Sequence, residues 1–325
     1  MSIVRAANFQ GAGEIVIERR TLRPTAAGEV RVRVGACCLC GSELRQWRNG
    51  WPVTPGHEVA GRVEQSGHAL DGCAVAVYIP VFCGSCPECA TGATNVCRNA
   101  SDLIGWQRDG GYAEVLNVPE QCLLPVPDDI PLDLAPLLLD VVGTGAHGVR
   151  LARRVVKTGP ALVLGGGPIG LGAAIVLRHF GLGPVDIVEP VLKRQVFAKS
   201  IGLRVVSAED LDARYPIVIE ASGKDAARQL ALDKVAPLGA VVQLGEAERW
   251  LVEETKAIRR KDFFYIRSFY FPKAEFEENL AIFRAERAHL ARLVDERVDL
   301  EQLPALFQRF SQGLNIKPAV TFEIN

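Results

Sequence analysis

Four cysteines stand in one short run. Cys83, Cys86, Cys89 and Cys97 form C-x2-C-x2-C-x7-C. That spacing brings four thiolates within reach of one ion, and four thiolates make the closed tetrahedral site of a structural zinc. An iron–sulfur cluster suits the first three, but the ferredoxin run has a closer fourth cysteine followed by proline. Here Arg98 follows Cys97. Zinc is therefore the expected ion. The chain holds nine cysteines, an odd number, and Met1 to Asn8 carries Arg5 without a long apolar core. Metal binding in the cytoplasm is expected, not a disulfide framework.

Two further donors lie upstream. Cys40 sits in Cys40-Gly41-Ser42-Glu43-Leu44, and His57 sits in Gly56-His57-Glu58. Alone, such a cysteine is usually core and such a histidine usually structural. Together they supply two donor types suited to a catalytic zinc, whose site keeps an open position.

A third constellation is Gly165-Gly166-Gly167-Pro168-Ile169-Gly170, which satisfies G-x-G-x-x-G. A strand-like Ala161–Leu164 precedes it and a helical Ile169–His179 follows, the context that gives the pattern weight. Gly165 permits the tight turn, Gly167 lets backbone approach a pyrophosphate, and Gly170 lets the helix pack on the strand. Pro168 and Ile169 complete the fingerprint at a helix N-terminus, whose free N–H groups and positive dipole end suit phosphates. Glu189 ends the next strand, nineteen residues after Gly170. A carboxylate there accepts hydrogen bonds from ribose hydroxyls and repels a 2′-phosphate, so NAD is expected over NADP. Arg194 works against that preference.

The elements around these groups fall into two textures. Ile15–Ile17, Val30–Val34, Val59–Val63 and Ala74–Tyr78 read as short strands punctuated by glycine and proline. Leu134–Leu139 and Val149–Val156 read as helical. Strands are then expected at Ala161–Leu164, Val185–Val188, Val205-Val206, Ile217–Glu220 and Ala240–Leu244, with a helix at Leu192–Ile201. This alternation implies a doubly wound parallel sheet, an α/β fold. Helical Ala274–Ala288 and Leu303–Ser311 follow, and Ala319–Phe322 reads as a closing strand. The uncharged stretch Ala161–Leu177 approaches membrane-span length, but its glycines and proline fit strand, turn and helix better.

Taken in order, these motifs and Gly110-Gly111-Tyr112-Ala113-Glu114 resemble the zinc-containing medium-chain dehydrogenases/reductases, the family of alcohol, sorbitol and threonine dehydrogenases. The resemblance covers essentially the whole chain. It implies a GroES-like β-rich catalytic domain over 1–145 with a structural-zinc lobe near 83–97. It further implies a Rossmann coenzyme domain over 146–268 and a segment, 269–325, that returns to the catalytic domain. The family's third ligand to catalytic zinc corresponds to Asp140, in Leu137-Leu138-Leu139-Asp140-Val141-Val142-Gly143-Thr144-Gly145. The implied ligand set is Cys40, His57 and Asp140, with Glu58 as an acid behind the metal, giving two zinc ions per chain.

The implied reaction is hydride transfer between NAD and an alcohol, or its reverse. Zinc lowers the pKa of the alcohol as a Lewis acid. Ser42 carries the proton away, and Thr144 lies near the nicotinamide by family analogy. The sequence departs from the family at two places. Glu43 replaces the usual aspartate that orients the ligand histidine. Arg45 stands where many members have a proton-relaying histidine, and arginine stays charged at neutral pH. Trp47 and Trp51, with Arg45 and Arg48, follow the first ligand; they read equally as a substrate wall or as packed tryptophans beside surface arginines. A polyol, sugar or cyclitol is the expected substrate class. The alternative from another class is a nucleotide-binding protein with structural zinc alone; a zinc-free NADPH-dependent reductase is a third reading. The net charge of −1 and scattered basic residues give no reason to expect a nucleic-acid or membrane partner. A homodimer or homotetramer is expected.

Overall fold

In the computed structural model, residues 3–100, 102–247 and 249–323 are described. The chain divides into two compact units. The first contains 1–139, 272–276 and 291–325; the second contains 140–271 and 277–290.

The first unit begins with β1 (Ile3–Gly11) and β2 (Glu14–Thr21), an antiparallel pair. Next come β3 (Glu29–Cys38), helix α1 (Leu44–Asn49), β4 (Glu58–Val63) and β5 (Ala74–Val77). A lobe follows with β6 (Pro80–Val81), α2 (Pro87–Ala90) and β7 (Asp102–Leu103). β8 (Val115–Pro119) and β9 (Leu123–Pro125) complete this stretch. Five of these strands join two late ones, described below, in a seven-stranded sheet. The alternation in β3 explains its place: Val30, Val32 and Val34 are buried in the apolar core of the unit while Arg31 and Arg33 point outward.

The second unit opens with α3 (Gly145–Ala152), then β10 (Ala161–Leu164), α4 (Pro168–His179), β11 (Val185–Val188), α5 (Leu192–Ser200) and β12 (Arg204–Val205). β13 (Tyr215–Glu220), α6 (Asp225–Lys234), β14 (Val235–Gln243), α7 (Lys256–Arg259) and β15 (Phe264–Arg267) follow. All six strands run parallel in the order β12-β11-β10-β13-β14-β15. This is the doubly wound order, in which ligands bind where it reverses, beyond the carboxyl ends of β10 and β13. β10 is buried along its whole length, so it reads as an unbroken apolar run without alternation.

The helix expected at Val149–Val156 is α3, which starts earlier. Gly145 and Gly148 sit inside α3, where a side chain would strike its neighbours. A Cβ on Gly145 would lie 3.1 Å from the Ala173 amide on α4, and one on Gly148 would lie 2.8 Å from a Leu244 methyl. Close packing outweighs the low helix propensity of glycine, about 1 kcal/mol per residue.

The last stretch contains α8 (Phe276–Leu290), β16 (Arg297–Val298), α9 (Leu303–Ser311) and β17 (Ala319–Thr321). β16 and β17 extend the first unit's sheet, with β17 antiparallel to β3. The expectation that all of 269–325 joins the first unit needs correction, because α8 from Glu277 onward packs with the second. Its contacts explain why: Arg150 of α3 donates to Asn279 at 3.0 Å and pairs with Glu278 at 2.8 Å, and His179 lies 3.3 Å from Glu286. Among the described residues, no helix is long and apolar enough to cross a membrane.

Candidate functional site

The sulfurs of Cys83, Cys86, Cys89 and Cys97 all lie within 4.8 Å of one another. The Cys97 sulfur is 3.6 Å from that of Cys83 and 3.7 Å from that of Cys86. A zinc–sulfur bond of about 2.3 Å implies a tetrahedral edge of about 3.8 Å, so the cage fits one ion. A four-iron cluster spreads its thiolates over different irons and sets them farther apart. All nine cysteines are free of disulfides. Backbone amides point at the sulfurs: Cys86 N–H donates to Cys83 at 3.3 Å, and Cys89 N–H to Cys86 at 3.5 Å. Amides of Ser85 and Cys86 lower the Cys83 thiol to about 5. Desolvation and the neighbouring sulfurs push Cys89 up to about 12. Four thiolates held this close need a cation to stay ionised together.

The second donor cluster follows from strand register. β3 and β4 pair with Cys38 opposite Glu58. Cys40 therefore leaves the end of β3 beside His57, which enters β4. Asp140 lies one peptide bond beyond Leu139 of the first unit, so the chain itself carries it there. Cys40, His57, Glu58 and Asp140 each offer a ligand atom, all within 4.8 Å of one another. Thiolate, imidazole and carboxylate in one place are a donor set for zinc. Asp140 falls in a single π-helical stretch, Leu139–Thr144, and is 8% exposed. Such stretches are rare and concentrate at functional sites. The Thr144 hydroxyl donates to Asp140 at 3.3 Å, and the Ser42 hydroxyl reaches the Cys40 sulfur at 3.3 Å.

Glu43 has the reach that its replacement of aspartate put in question. Its Oε1 lies 2.7 Å from His57 Nδ1. Its Oε2 accepts from the Tyr112 hydroxyl at 2.5 Å and from the Cys40 amide at 3.1 Å. Burial works against charge on Glu43, but His57, Tyr112 and the Cys40 amide outweigh it and hold the carboxyl below its usual range. The contact to Nδ1 leaves Nε2 of His57 for a metal.

Three residues here escaped the sequence reading. Tyr112 belongs to the Gly110–Glu114 motif, and its hydroxyl also fixes Glu43. Lys317 is fully buried and pairs its ammonium with Glu58 Oε1. Its signal was a lone cation in the apolar run Ile316–Val320. Trp106 lies with its ring 5.9 Å from His57 and the Arg45 guanidinium 5.1 Å from its own ring centre. Trp51 donates its indole N–H to the Trp106 carbonyl at 2.6 Å, while Trp47 packs on Phe307. Both expected tryptophans thus serve packing, and the aromatic beside the histidine is a third one.

In the second unit the glycine turn leads from the end of β10 into α4. Gly165 has φ of +103°, open to glycine but strained for other residues. A Cβ on Gly170 would stand 1.8 Å from the Gly165 carbonyl oxygen, so α4 lies directly against the turn. A Cβ on Gly167 would meet no protein atom within 4 Å. Packing does not require glycine there, and the space in front of it is open. Pro168 and Ile169 form the first turn of α4. Glu189 is 5% exposed and accepts from the Gly166 amide at 2.6 Å and the Val191 amide at 2.7 Å. Arg194 stands 3.9 Å from its Oε2.

Residues 26–128 match the family of the alcohol dehydrogenase GroES-like domain. An L-galactonate-5-dehydrogenase of Escherichia coli (strain K12) is 30% identical over 265 residues, covering 75% of this chain and 77% of that protein. An L-threonine 3-dehydrogenase of Pyrococcus horikoshii is 32% identical over 263 residues, covering 72% and 73%. The solved alcohol dehydrogenase from Thermus sp. ATN1 has the same fold, with a TM-score of 0.89 over 98% of this chain and 100% of that one at 24% identity. The two donor clusters, the glycine turn and these likenesses agree, and the chain belongs to the zinc-containing medium-chain dehydrogenase/reductase family.

Proposed function

We propose that this protein is a zinc-dependent dehydrogenase that moves hydride between NAD and a secondary alcohol of a polyol, sugar or cyclitol. The observation that carries the reading is the second donor cluster, of mixed chemistry, separate from the four-thiol cage. A protein that used zinc only for structure would have no need of Cys40, His57 and Asp140 together. The similarity to a sugar-acid dehydrogenase supports a polyhydroxylated substrate.

Cys40, His57 and Asp140 hold one zinc, and Cys83, Cys86, Cys89 and Cys97 hold another, two per chain. When bound, zinc supplies Lewis acidity that lowers the pKa of an alcohol, and NAD supplies the hydride acceptor. Glu43 fixes the ring of His57, and Glu58, engaged by Lys317, stays behind the ligands. That engagement favours Asp140 over Glu58 as the third ligand. Ser42 takes the hydroxyl proton of the substrate and passes its own to water, since Arg45 cannot accept one at neutral pH. Gly165, Gly167 and Gly170 cradle the pyrophosphate, with Pro168 and Ile169 opening the helix above it. Glu189 keeps lone pairs for ribose hydroxyls while holding the Gly166 and Val191 amides. Thr144 positions the nicotinamide side of the cofactor. Arg194 weakens the discrimination against NADP without reversing it.

We further place the protein in the cytoplasm, where its free cysteines suit a reducing compartment. Homodimers or homotetramers are supported by β15. It ends its sheet, and Phe264 on it and Trp250 beside it are about half exposed.

Metal analysis and a panel of polyols, sugars and cyclitols scored for NADH production test the reading. Two zinc ions and turnover on at least one class are expected. One zinc and no turnover would make the chain a nucleotide-binding protein. Glu189→Ala should narrow the preference for NAD over NADP by about tenfold in kcat/KM. A wild-type preference for NADP would remove this role from Glu189.

A further inference from the structure

The Arg45 guanidinium is exposed, and no acidic partner faces it among the described residues. Its carbon lies 5.1 Å from the ring centre of Trp106, and that ring lies 5.9 Å from the ring of His57. Trp106 is itself held, 9% exposed, by the indole of Trp51 on its carbonyl and by the edge of the Trp51 ring at 5.7 Å. The cation thus lies over a fixed aromatic ring, one ring away from the histidine of the second donor cluster. A ring face offers no hydrogen-bond acceptor equal to an anion, so the N–H donors of the guanidinium are available to one. The two distances sum to about 11 Å, an upper limit on the separation of the cation from the histidine ring. A five- or six-carbon chain with one hydroxyl at the metal spans such a gap.

We propose that Arg45, seated on Trp106, is a specificity-determining residue that binds a terminal anion on the substrate, a carboxylate or a phosphate. The proposal rests on the dehydrogenase reading and narrows it, from polyols at large to polyols that end in an acid. It also accounts for an arginine at a position where proton relay is lost: the side chain serves recognition instead. Because Arg45 is exposed, water screens it, and the expected gain is moderate. Lysine keeps the charge but loses the planar fork and the stacking.

The test uses matched sets on the zinc-loaded protein: five- and six-carbon alditols, the aldonates of the same configuration, and the terminal alditol phosphates. Dissociation constants come from calorimetry, and kcat and KM from NADH production. For at least one configuration, the wild type should favour an anionic member over its alditol by about tenfold in KM. Arg45→Gln should remove that advantage while leaving kcat and the alditol values within about twofold; Arg45→Lys should keep part of it. An advantage for the aldonate alone identifies a carboxylate subsite, and one for the phosphate alone a phosphate subsite; each supports the proposal. Turnover of alditols with no anionic advantage, or an advantage that survives in Arg45→Gln, overturns it and leaves the dehydrogenase standing. If Arg45→Gln instead raises the dissociation constant of NAD and spares the anions, Arg45 serves the cofactor and the proposal fails. If no polyol of any charge binds or turns over, both readings fall.

Discussion

The two donor clusters of this chain differ in almost every physical respect. The four-thiol cage is local: its donors span Cys83 to Cys97, and backbone amides of the same short lobe point at its sulfurs. The other cluster draws its donors from positions 40, 57, 58 and 140, and two buried side chains, Glu43 and Lys317, engage them. One donor set is uniform, four sulfurs. The other is mixed, joining a thiol, an imidazole and two carboxylates. The contrast teaches that a uniform donor set can be gathered by sequence proximity, and a mixed one by long-range register.

The largest expected effect is at the cage. Cys97→Ser should lower zinc content from two to one and reduce the thermal midpoint by roughly 10 °C, because structural zinc contributes folding energy directly. A variant that keeps both ions and its midpoint would erase the distinction between the clusters. Asp140→Asn comes next. It keeps the shape and removes the charge, so turnover should fall by about 100-fold or the second zinc be lost. The cage ion and the midpoint should hardly change. Near-normal turnover with two zinc ions would move the third ligand position elsewhere, with Glu58 as first candidate. The smallest effect sharpens the comparison. Glu43→Gln retains a partner for Tyr112 but weakens the grip on His57, and activity or zinc affinity at this cluster should drop by about 10-fold or a little more. Zinc titrations that show equal losses at both clusters would mean that Glu43 supports the fold of the unit, not the histidine.

The same contrast decides what could be read from the sequence. The cage was legible because its donors are close in the chain and their number is unusual. The glycine turn was legible because strand, turn, helix and acid arrive in order. Asp140 was legible only through family resemblance; its π-helical setting was hidden within an apolar run that reads as an ordinary helix start. Trp106 and Lys317 were not legible. Each takes its meaning from a neighbour far away in sequence: Lys317 from Glu58, and Trp106 from His57 and Arg45. Short-range chemistry survives in one dimension; pairings across a sheet do not.

The pairing of Lys317 with Glu58 also orders events in time. A ribosome that has exposed residues through 290 has presented every donor of both clusters, yet β17 and Lys317 are still missing. The four-thiol cage is complete as soon as its lobe emerges. In the second cluster, Glu58 gains its Lys317 partner only when β17 pairs with β3. One donor set is thus finished by the chain around it, and the other waits for the last residues to be made.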